Sequence, residues 1–366
     1  MNSSTSDSER DARAWRRWLR RYATTAVGIA LFLAALILAL DPYDTGRFAL
    51  FPSRGVPHFG QRLTAASIAR SPEINAAIIG DSTMQLIDPR RIGADAGFRT
   101  ASLAISGTGP AEQIAVLRWL LRWHRGPEFR LLVMGIDRYW CGDEGEGEGD
   151  SEPHFAFPFW LYGESRLDYA AHMMRFQGLQ HALRKINLLA GLTKRETNFG
   201  YDDYDGAKPW NEAEFRVRLA QPPVPGPKDP NAEADTVHAP IAELSRLLQS
   251  LSPQAVVLLV MPPIHHTVLP EPGSAEAARL ERCKEALRGL VAGRARTEII
   301  DYLHAGEIAD RDENFWDSVH YRTPVARRIE ADVTAAALRL SVNDTGGKTV
   351  IEPQGDRSTA AAPKPP

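Results

Sequence analysis

The chain reads Ala76-Ala77-Ile78-Ile79-Gly80-Asp81-Ser82-Thr83-Met84 where a short apolar run gives way to a glycine, an acid and a hydroxyl. Four apolar residues followed by a glycine predict a buried strand that ends in a tight turn. In open α/β sheets such turns lie at the carboxyl edge, where ligands bind. The stretch therefore predicts that Ser82 is presented at that edge, near backbone N–H groups that can stabilise a developing negative charge.

Strand and helix patterns alternate on both sides of this turn. The predicted strands cover residues 76–79, 99–103, 131–136, 255–261 and 298–300. The predicted helices cover residues 110–124, 240–251, 274–291 and 323–338. This alternation predicts an α/β fold, in which helices flank a mostly parallel five-stranded sheet with right-handed crossovers.

A second motif, Asp317-Ser318-Val319-His320, lies just before the last predicted helix. A serine becomes a good nucleophile when an imidazole takes its proton, and the imidazole needs an acceptor on its other nitrogen. Gly-Asp-Ser early and Asp-x-x-His late, in this order, resemble the SGNH/GDSL hydrolase superfamily over roughly residues 73 to 338. The resemblance implies a flavodoxin-like strand order and a catalytic triad of Ser82 as nucleophile, His320 as base and Asp317 as orienting acid.

The resemblance also implies an oxyanion hole formed by the backbone N–H groups of Ser82 and Gly107 and by an asparagine after the third strand. Here the matching residues 135–138 read Gly-Ile-Asp-Arg. An ionised Asp137 accepts hydrogen bonds and cannot donate them, and losing one oxyanion donor costs about a hundredfold or more in rate. Either Arg138 or another neighbour replaces that donor, or the hydrolytic activity is weak.

Further candidates for substrate binding, besides Asp137 and Arg138, are Asp81, His265, His266 and Trp316. Simpler interpretations stay open for them: the residue before a nucleophilic serine more often braces the turn, and paired loop histidines are commonly solvated. The histidines lack metal-ligand spacing, so we predict no metal there. The acidic run 143–152 lacks an EF-hand pattern and is expected to be a mobile loop, and no cofactor is implied.

Residues 23–40 carry no charge and, at about 1.5 Å per residue, span roughly 27 Å as a helix, about the thickness of a bilayer core. The preceding arginines are Arg13, Arg16, Arg17, Arg20 and Arg21. The positive-inside rule predicts a cytoplasmic tail over residues 1–22, disordered to residue 12, and a single-pass anchor in the cytoplasmic (inner) membrane over 23–40. The catalytic domain would then be periplasmic or otherwise extracytoplasmic. A cleaved signal peptide and a buried soluble helix are the alternatives.

Beyond the anchor we expect a tether over residues 41–70, an SGNH-like domain over 71–338 and a disordered tail over 339–366. Residues 138–235 are largely irregular and rich in aromatic residues and proline, with one or two helices predicted over residues 169–189, and this favours an insertion over the active edge of the sheet. Cys141 and Cys283 can form one disulfide in an oxidising compartment, or stay as two buried thiols.

A net charge of −3 argues against a general nucleic-acid binder. The single anchor, the two catalytic motifs and a Pro-Pro-x-His segment at 262–265 resemble membrane-anchored SGNH-like proteins of exopolysaccharide and cell-wall acylation. This implies an extracytoplasmic serine acyl-transfer enzyme, with a multi-pass membrane protein as acyl donor and a glycan as acceptor. A plain carbohydrate or lipid esterase is one alternative. A catalytically idle scaffold of a polysaccharide assembly complex is another.

Overall fold

The computed structural model describes residues 4–48, 55–142, 157–195, 200–206, 208–220, 238–342 and 350–351. These residues belong to two compact units. The first takes its residues from Met1–Pro57 and Glu164–Arg195, and the second from His58–Gly163 and Glu196–Pro366. The acidic run 143–152 and the proline-rich run 222–230 lie outside the described residues, as does most of the predicted tail.

A parallel sheet forms the core of the second unit. Its strands are β1 (Ala76–Ile79), β2 (Thr100–Ser102), β3 (Leu131–Gly135), β4 (Val256–Met261), β5 (Thr297–Asp301) and the two-residue β6 (Val350–Ile351). The order is β2-β1-β3-β4-β5-β6 and every pair is parallel. The five predicted strands are confirmed. β6 lies in the segment predicted to be a disordered tail. The sequence did not predict this strand, because two residues leave no periodic signal.

The strand order places the ends of β1 and β3 side by side. All residues of both strands are buried, as continuous apolar runs predict for strands covered on both faces. From β1 the chain passes to β2 on one side and then returns to β3 on the other. Ligand sites of open α/β sheets lie in the crevice at such a reversal. The turn that carries Ser82 and the turn that carries Asp137 therefore meet at that crevice.

The helices cover the following residues. They are α1 (Ser4–Leu40), α2 (Gln61–Arg70), α3 (Pro110–Trp123), α4 (Phe159–Tyr162), α5 (Arg166–Met173), α6 (Phe176–Leu189), α7 (Glu212–Leu219), α8 (His238–Gln249), α9 (Ala275–Ala292) and α10 (Thr323–Val342). The four helices predicted between the strands are confirmed to within a few residues. The last of them, α10, continues four residues beyond the predicted boundary at 338.

The segment predicted as a tether contains a core helix, α2. Ala65, Ala66 and Ala69 are buried, and α2 packs against α3. The indole Nε1 of Trp119 on α3 donates a hydrogen bond to the carbonyl of Ala66 at 2.8 Å. Small side chains let two helices approach closely but give only a weak hydrophobic periodicity. The tether prediction was wrong for this reason.

In the first unit, α1 begins at Ser4, so the helix includes residues 4–12 of the segment predicted to be a disordered tail. Residues 11–40 of this helix are long and apolar enough to cross a membrane, with a mean hydropathy of 2.4 over the most apolar window. The turn after α1 is buried: Asp41 accepts hydrogen bonds from the hydroxyls of Thr45 at 2.9 Å and Tyr169 at 2.6 Å. Helices α5 and α6 pack against this end of α1.

A disulfide joins Cys141, in the turn after β3, to Cys283 on α9, with a Cα–Cα distance of 5.3 Å. The two residues are 142 apart in sequence. A bond that closes so long a loop restricts the unfolded chain strongly. The structure thus selects one of the two states that the sequence left open.

Removing this disulfide with Cys141→Ser and Cys283→Ser is expected to lower the free energy of unfolding by about 2–4 kcal/mol. Urea unfolding of the full chain in detergent measures the change. Reducing the wild-type protein should produce the same loss, and reductant should leave the double variant unaffected. Equal stability of reduced and oxidised wild type would contradict the prediction.

Candidate active site

The three residues of the predicted triad are hydrogen-bonded to one another. Ser82 opens a short 3-10 turn directly after β1, and Asp317 and His320 lie in the loop before α10. The Nε2 atom of His320 is 2.7 Å from Ser82 Oγ, and its Nδ1 atom is 2.8 Å from Asp317 Oδ2. This is the arrangement in which a base takes the serine proton while an acid fixes the base's tautomer.

The loop that carries Asp317 and His320, here called the triad loop, is held by hydrogen bonds to its own backbone. Asp317 Oδ1 accepts hydrogen bonds from the N–H groups of Val319 and His320, both at 2.8 Å. The N–H of Trp316 donates to the carbonyl of His320 at 2.7 Å, which closes the turn. One carboxylate of Asp317 therefore shapes the loop with one oxygen and binds the imidazole with the other. This explains why the acid and the base stand three residues apart.

The local electrostatics favour an ion pair between ionised Asp317 and protonated His320. Burial by itself would lower the pKa of His320, but the hydrogen bond and charge of Asp317, helped by the charge of Asp81, outweigh burial and raise it. Burial likewise would raise the pKa of Asp317, but its bonds to His320 and to the loop backbone lower it. Asp317 therefore stays ionised when His320 takes a proton, and stabilises the imidazolium.

Glycine is required at the start of the turn that carries Ser82, here called the nucleophile turn after the predicted role of that serine. A Cβ on Gly80 would lie 2.4 Å from Cγ of Met84, and one on Gly135, at the end of β3, would meet the same atom at 2.4 Å. Met84 is fully buried between these two strand ends. The glycines thus let the turn fold back onto the sheet, which leaves Ser82 next to His320.

Asp81 braces the same turn. Its Oδ1 accepts hydrogen bonds from the backbone N–H of Thr83 at 2.9 Å and from the Thr83 hydroxyl at 2.6 Å. The side chain is almost completely buried. The structure therefore supports the simpler interpretation of Asp81, a residue that shapes the turn, over direct contact with a substrate.

Asp137 is buried in the neighbouring turn and hydrogen-bonds to Asp81. Burial and the charge of Asp81 raise its pKa well above the usual range, although the N–H groups of Tyr139 at 2.8 Å and Trp140 at 3.4 Å oppose that rise. Burial and Asp81 thus favour the neutral form of Asp137, against the ionised form expected from the sequence. A protonated Asp137 carries one O–H donor, and Asp81 is its acceptor.

The predicted oxyanion loop lies against the nucleophile turn. The N–H of Ile105 donates to the carbonyl of Gly80 at 2.9 Å, and Gly107 follows with a left-handed backbone, φ 64°. The guanidinium of Arg62 donates to the carbonyl of Ser106 at 2.7 Å. Arg62 belongs to the misassigned tether and was not anticipated. That the N–H groups of Ser82 and Gly107 bind an oxyanion stays a prediction.

His265 is not available to a substrate, which corrects its predicted role. Its side chain is 0% exposed. Its Nδ1 is 2.9 Å from Thr267 Oγ1 and its Nε2 is 3.1 Å from Asp312 Oδ1. The backbone N–H of His265 donates to the carbonyl of Ser318 at 3.0 Å, so the residue braces the triad loop. Its neighbour His266 is exposed, with its ring 4.2 Å from that of His265 between centroids.

Trp316 and Arg138, the other two candidates for substrate binding, contact neighbouring side chains. The guanidinium of Arg218 lies 3.9 Å from the ring centroid of Trp316, and its Nε donates to the Trp316 carbonyl at 2.7 Å. Arg138 lies 5.1 Å from the ring centroid of Tyr139. Contact of Trp316 or Arg138 with a substrate stays a prediction.

Sequence reasoning missed Tyr204, which packs edge-on against His320 with ring centroids 5.5 Å apart. Its hydroxyl donates to the carbonyl of Tyr321 at 3.0 Å. The adjacent Asp205 binds the guanidinium of Arg322 at 2.9 Å and the N–H of Thr323 at 3.0 Å, which caps α10. The signal was the run of tyrosines and aspartates at 201–205, which lies inside the segment 138–235 that we interpreted only as an insertion.

A cavity of about 370 Å³ opens beyond the carboxyl end of β2. It is lined by His58, Gly60, Gln61, Thr64, Ala65, Ile68, Ser102, Ala104, Gly200, Tyr201 and Asp202. Gln85 connects this cavity with the nucleophile turn. Its N–H donates to the carbonyl of Ser82 at 3.2 Å, and its side-chain amide donates to Gln61 and to the carbonyl of Ala104.

No family model and no curated protein matches this chain. Among solved structures, it is similar to one described as a "putative platelet activating factor from Streptococcus pneumonia". The two chains are 9% identical with a TM-score of 0.39, and the match covers 75% of this chain and 91% of that one. So low a similarity carries no conclusion about activity.

Proposed function

We propose that this protein is a membrane-anchored, extracytoplasmic serine acyl-transfer enzyme of the SGNH/GDSL type. Its substrates would be acyl esters, such as acetyl esters, of an envelope or exported polysaccharide. The observation that carries the proposal is the hydrogen-bonded chain from Ser82 through His320 to Asp317, at the carboxyl edge of a parallel sheet. The motifs that resemble the superfamily supply these same three residues.

Each proton in the proposed reaction has a donor and an acceptor. Ser82 Oγ attacks the acyl carbonyl carbon while His320 Nε2 takes the serine proton. The tetrahedral intermediate then collapses, and the imidazolium of His320 returns that proton to the departing alkoxide, leaving an ester on Ser82. An acceptor hydroxyl next gives its proton to His320 and attacks this ester. Collapse of the second intermediate releases the acylated acceptor and reprotonates Ser82.

Asp137 offers a solution to the missing asparagine. A neutral carboxyl donates one hydrogen bond, as an amide would, and here the acceptor is Asp81. Asp81 in turn holds Thr83 and so the turn that aims Ser82. We therefore propose that Asp137 is a positioning residue of the nucleophile turn, and that the oxyanion is bound by backbone N–H groups.

Two observations support an extracytoplasmic site. The arginine-rich segment before residue 23 favours a cytoplasmic N-terminus for an anchor over residues 23–40. The Cys141–Cys283 disulfide is typical of proteins in oxidising compartments. An acyl donor on the cytoplasmic side would then need a multi-pass membrane partner to reach Ser82, and we include such a partner in the proposal.

Transfer competes with hydrolysis, so the acyl-enzyme must be shielded from water. Tyr204 covers one edge of His320, and we propose that it contributes to this shielding. The cavity at the β2 edge combines apolar side chains with hydroxyl, amide and carboxylate groups, which is the mixture that sugar rings require. We propose that it binds the glycan acceptor.

Covalent labelling of the full chain in detergent by a fluorophosphonate tests the activated serine. We expect labelling that maps to the peptide containing Ser82 and is lost in Ser82→Ala. Turnover of an aryl acetate with and without a glycan acceptor then separates the two enzyme classes. Acetylated glycan indicates a transferase, whereas acetate alone indicates a plain esterase. A folded wild-type chain that takes no label would refute both and favour a scaffold.

A further inference from the structure

Helix α6 of the first unit carries a stripe of exposed, large apolar side chains. Phe176 is 73% exposed, Leu179 40%, Leu183 55% and Ile186 39%. Their spacing of three, four and three residues places them on one face of the helix. An exposed apolar surface of this kind, continuous over a whole helix, marks a surface that meets another apolar phase.

The orientation of this stripe is fixed by the other side of α6. Lys185 is buried there, and its ammonium donates to the carbonyl of Gly55 at 2.5 Å and lies 4.0 Å from Asp44. The ring of His181 is hydrogen-bonded to the hydroxyl of Tyr43 at 2.6 Å. Both contacts clamp α6 to the turn that follows α1. The apolar stripe cannot turn inward without breaking them.

The same contacts set the depth of α6 relative to the proposed anchor. The charge-free residues 23–40 span roughly 27 Å, slightly less than a hydrocarbon core of about 30 Å. An anchor over residues 23–40 therefore needs its full length, up to the last turns of α1, to cross the hydrocarbon core. Residues 13–33 of α1 are exposed, whereas Ala34 and residues 37–40 are partly or fully buried. Since α5 and α6 contact α1, they cover it where it leaves the hydrocarbon.

We propose that α6 lies in the outer interface of the bilayer, with the stripe Phe176, Leu179, Leu183 and Ile186 inserted between headgroups and acyl chains. This inference rests on the membrane anchor of the proposed function and adds a second membrane contact to it. Amphipathic helices of this type insert about 5–10 Å below the headgroups.

The flanks of α6 favour a lipid surface over a protein partner. Exposed basic residues stand just before and after the helix, Arg175 and Lys194, where they suit anionic headgroups. The neighbouring Met174 and Leu192, 46% and 75% exposed, extend the apolar surface at both ends. Basic ends around an apolar stripe match the layering of headgroups and acyl chains.

Site-specific fluorescence in proteoliposomes tests the inference with the full chain. The native cysteines are joined in the disulfide, so a cysteine introduced at Leu183 can carry an environment-sensitive dye. Gln177→Cys, on the polar flank of the same helix, is the matched control. We expect lipids with a nitroxide near the headgroup to quench the Leu183→Cys label several-fold more strongly than aqueous iodide does, and the reverse for Gln177→Cys.

Either of two results would overturn the inference: equal access of iodide to both labels, which places the stripe in water, or protection of the Leu183→Cys label from both quenchers, which places it on a protein. A third label at Phe32→Cys, on an exposed position of α1, reports the anchor separately. Quenching of that label by a nitroxide deep in the acyl chains shows an inserted anchor. Failure at residue 183 alone therefore refutes only the role of α6, whereas failure at residue 32 refutes the anchor itself.

Discussion

His320→Ala is expected to lower kcat/KM for ester turnover by about 10⁴-fold, and Asp317→Asn by a similar factor. The double variant should lose little more than either single variant, because both residues act through the same hydrogen-bonded chain to Ser82. Turnover of an aryl acetate by the purified full chain measures all three. Losses that multiply to about 10⁸ would show that the two residues act independently and would contradict the triad.

His266→Ala provides the matched control for this series. His266 is an exposed loop histidine outside the hydrogen-bonded chain of the triad, so its variant should keep activity within about twofold of the wild type. A loss at His266 as large as that at His320 would contradict this expectation and support the substrate-binding role for which His266 is a candidate. The comparison therefore tests the position of the imidazole and not merely its presence.

The pH dependence of the same series follows from the shifted pKa of the base. His320 acts when neutral, and Asp317 raises its pKa against the opposing effect of burial. The acid limb of the wild-type rate should therefore have its midpoint above the ordinary histidine value of about 6.5. In Asp317→Asn burial remains while the opposing charge is lost, so the midpoint should move to lower pH as the rate falls.

The parts of this structure that the sequence predicted are those with local causes. Strands β1, β3 and β4 are continuous apolar runs, and their patterns can be interpreted without knowing what packs on them. Ser82, Asp317 and His320 follow from two short motifs, each of which fits a single turn. Two glycines, Gly80 and Gly135, mark the strand ends because a Cβ at either position would overlap Met84.

The parts that it did not predict depend on partners distant in the chain. Helix α2 relies on small residues that match the surface of α3. His265 is a neighbour of Asp312 only after folding, and a buried histidine with both nitrogens bonded has the same local sequence as a solvated one. Tyr204 reaches His320 across a gap of more than a hundred residues. In each case tertiary packing decides the role of the residue.

Asp137 depends both on a local motif and on tertiary packing. Among variants of residues outside the triad, Asp137→Asn should have the most distinctive effect. The motif identified the position, but its protonation depends on burial beside Asp81. Because the proposed role of Asp137 requires the protonated carboxyl, wild-type activity should fall as pH rises through its raised pKa. An amide donates at every pH. Asp137→Asn should therefore keep activity within about threefold near neutral pH and lose this alkaline decline, as full pH–rate profiles of kcat would show.

The comparison with Asp137→Ala distinguishes donation of a hydrogen bond to Asp81 from the mere absence of a charge at residue 137. Alanine is neutral at every pH but leaves buried Asp81 without that donor, which at roughly 1–3 kcal/mol corresponds to a loss of about 10- to 100-fold in kcat. The loss should appear in kcat and not in KM, because Asp81 shapes the turn of Ser82 and its carboxylate is occupied by Thr83. If Asp137→Ala matched Asp137→Asn at all pH values, neutrality alone would matter. If Asp137→Asn were as impaired as Asp137→Ala, the carboxyl would have a role that an amide cannot fill, and the proposed donation to Asp81 would be wrong.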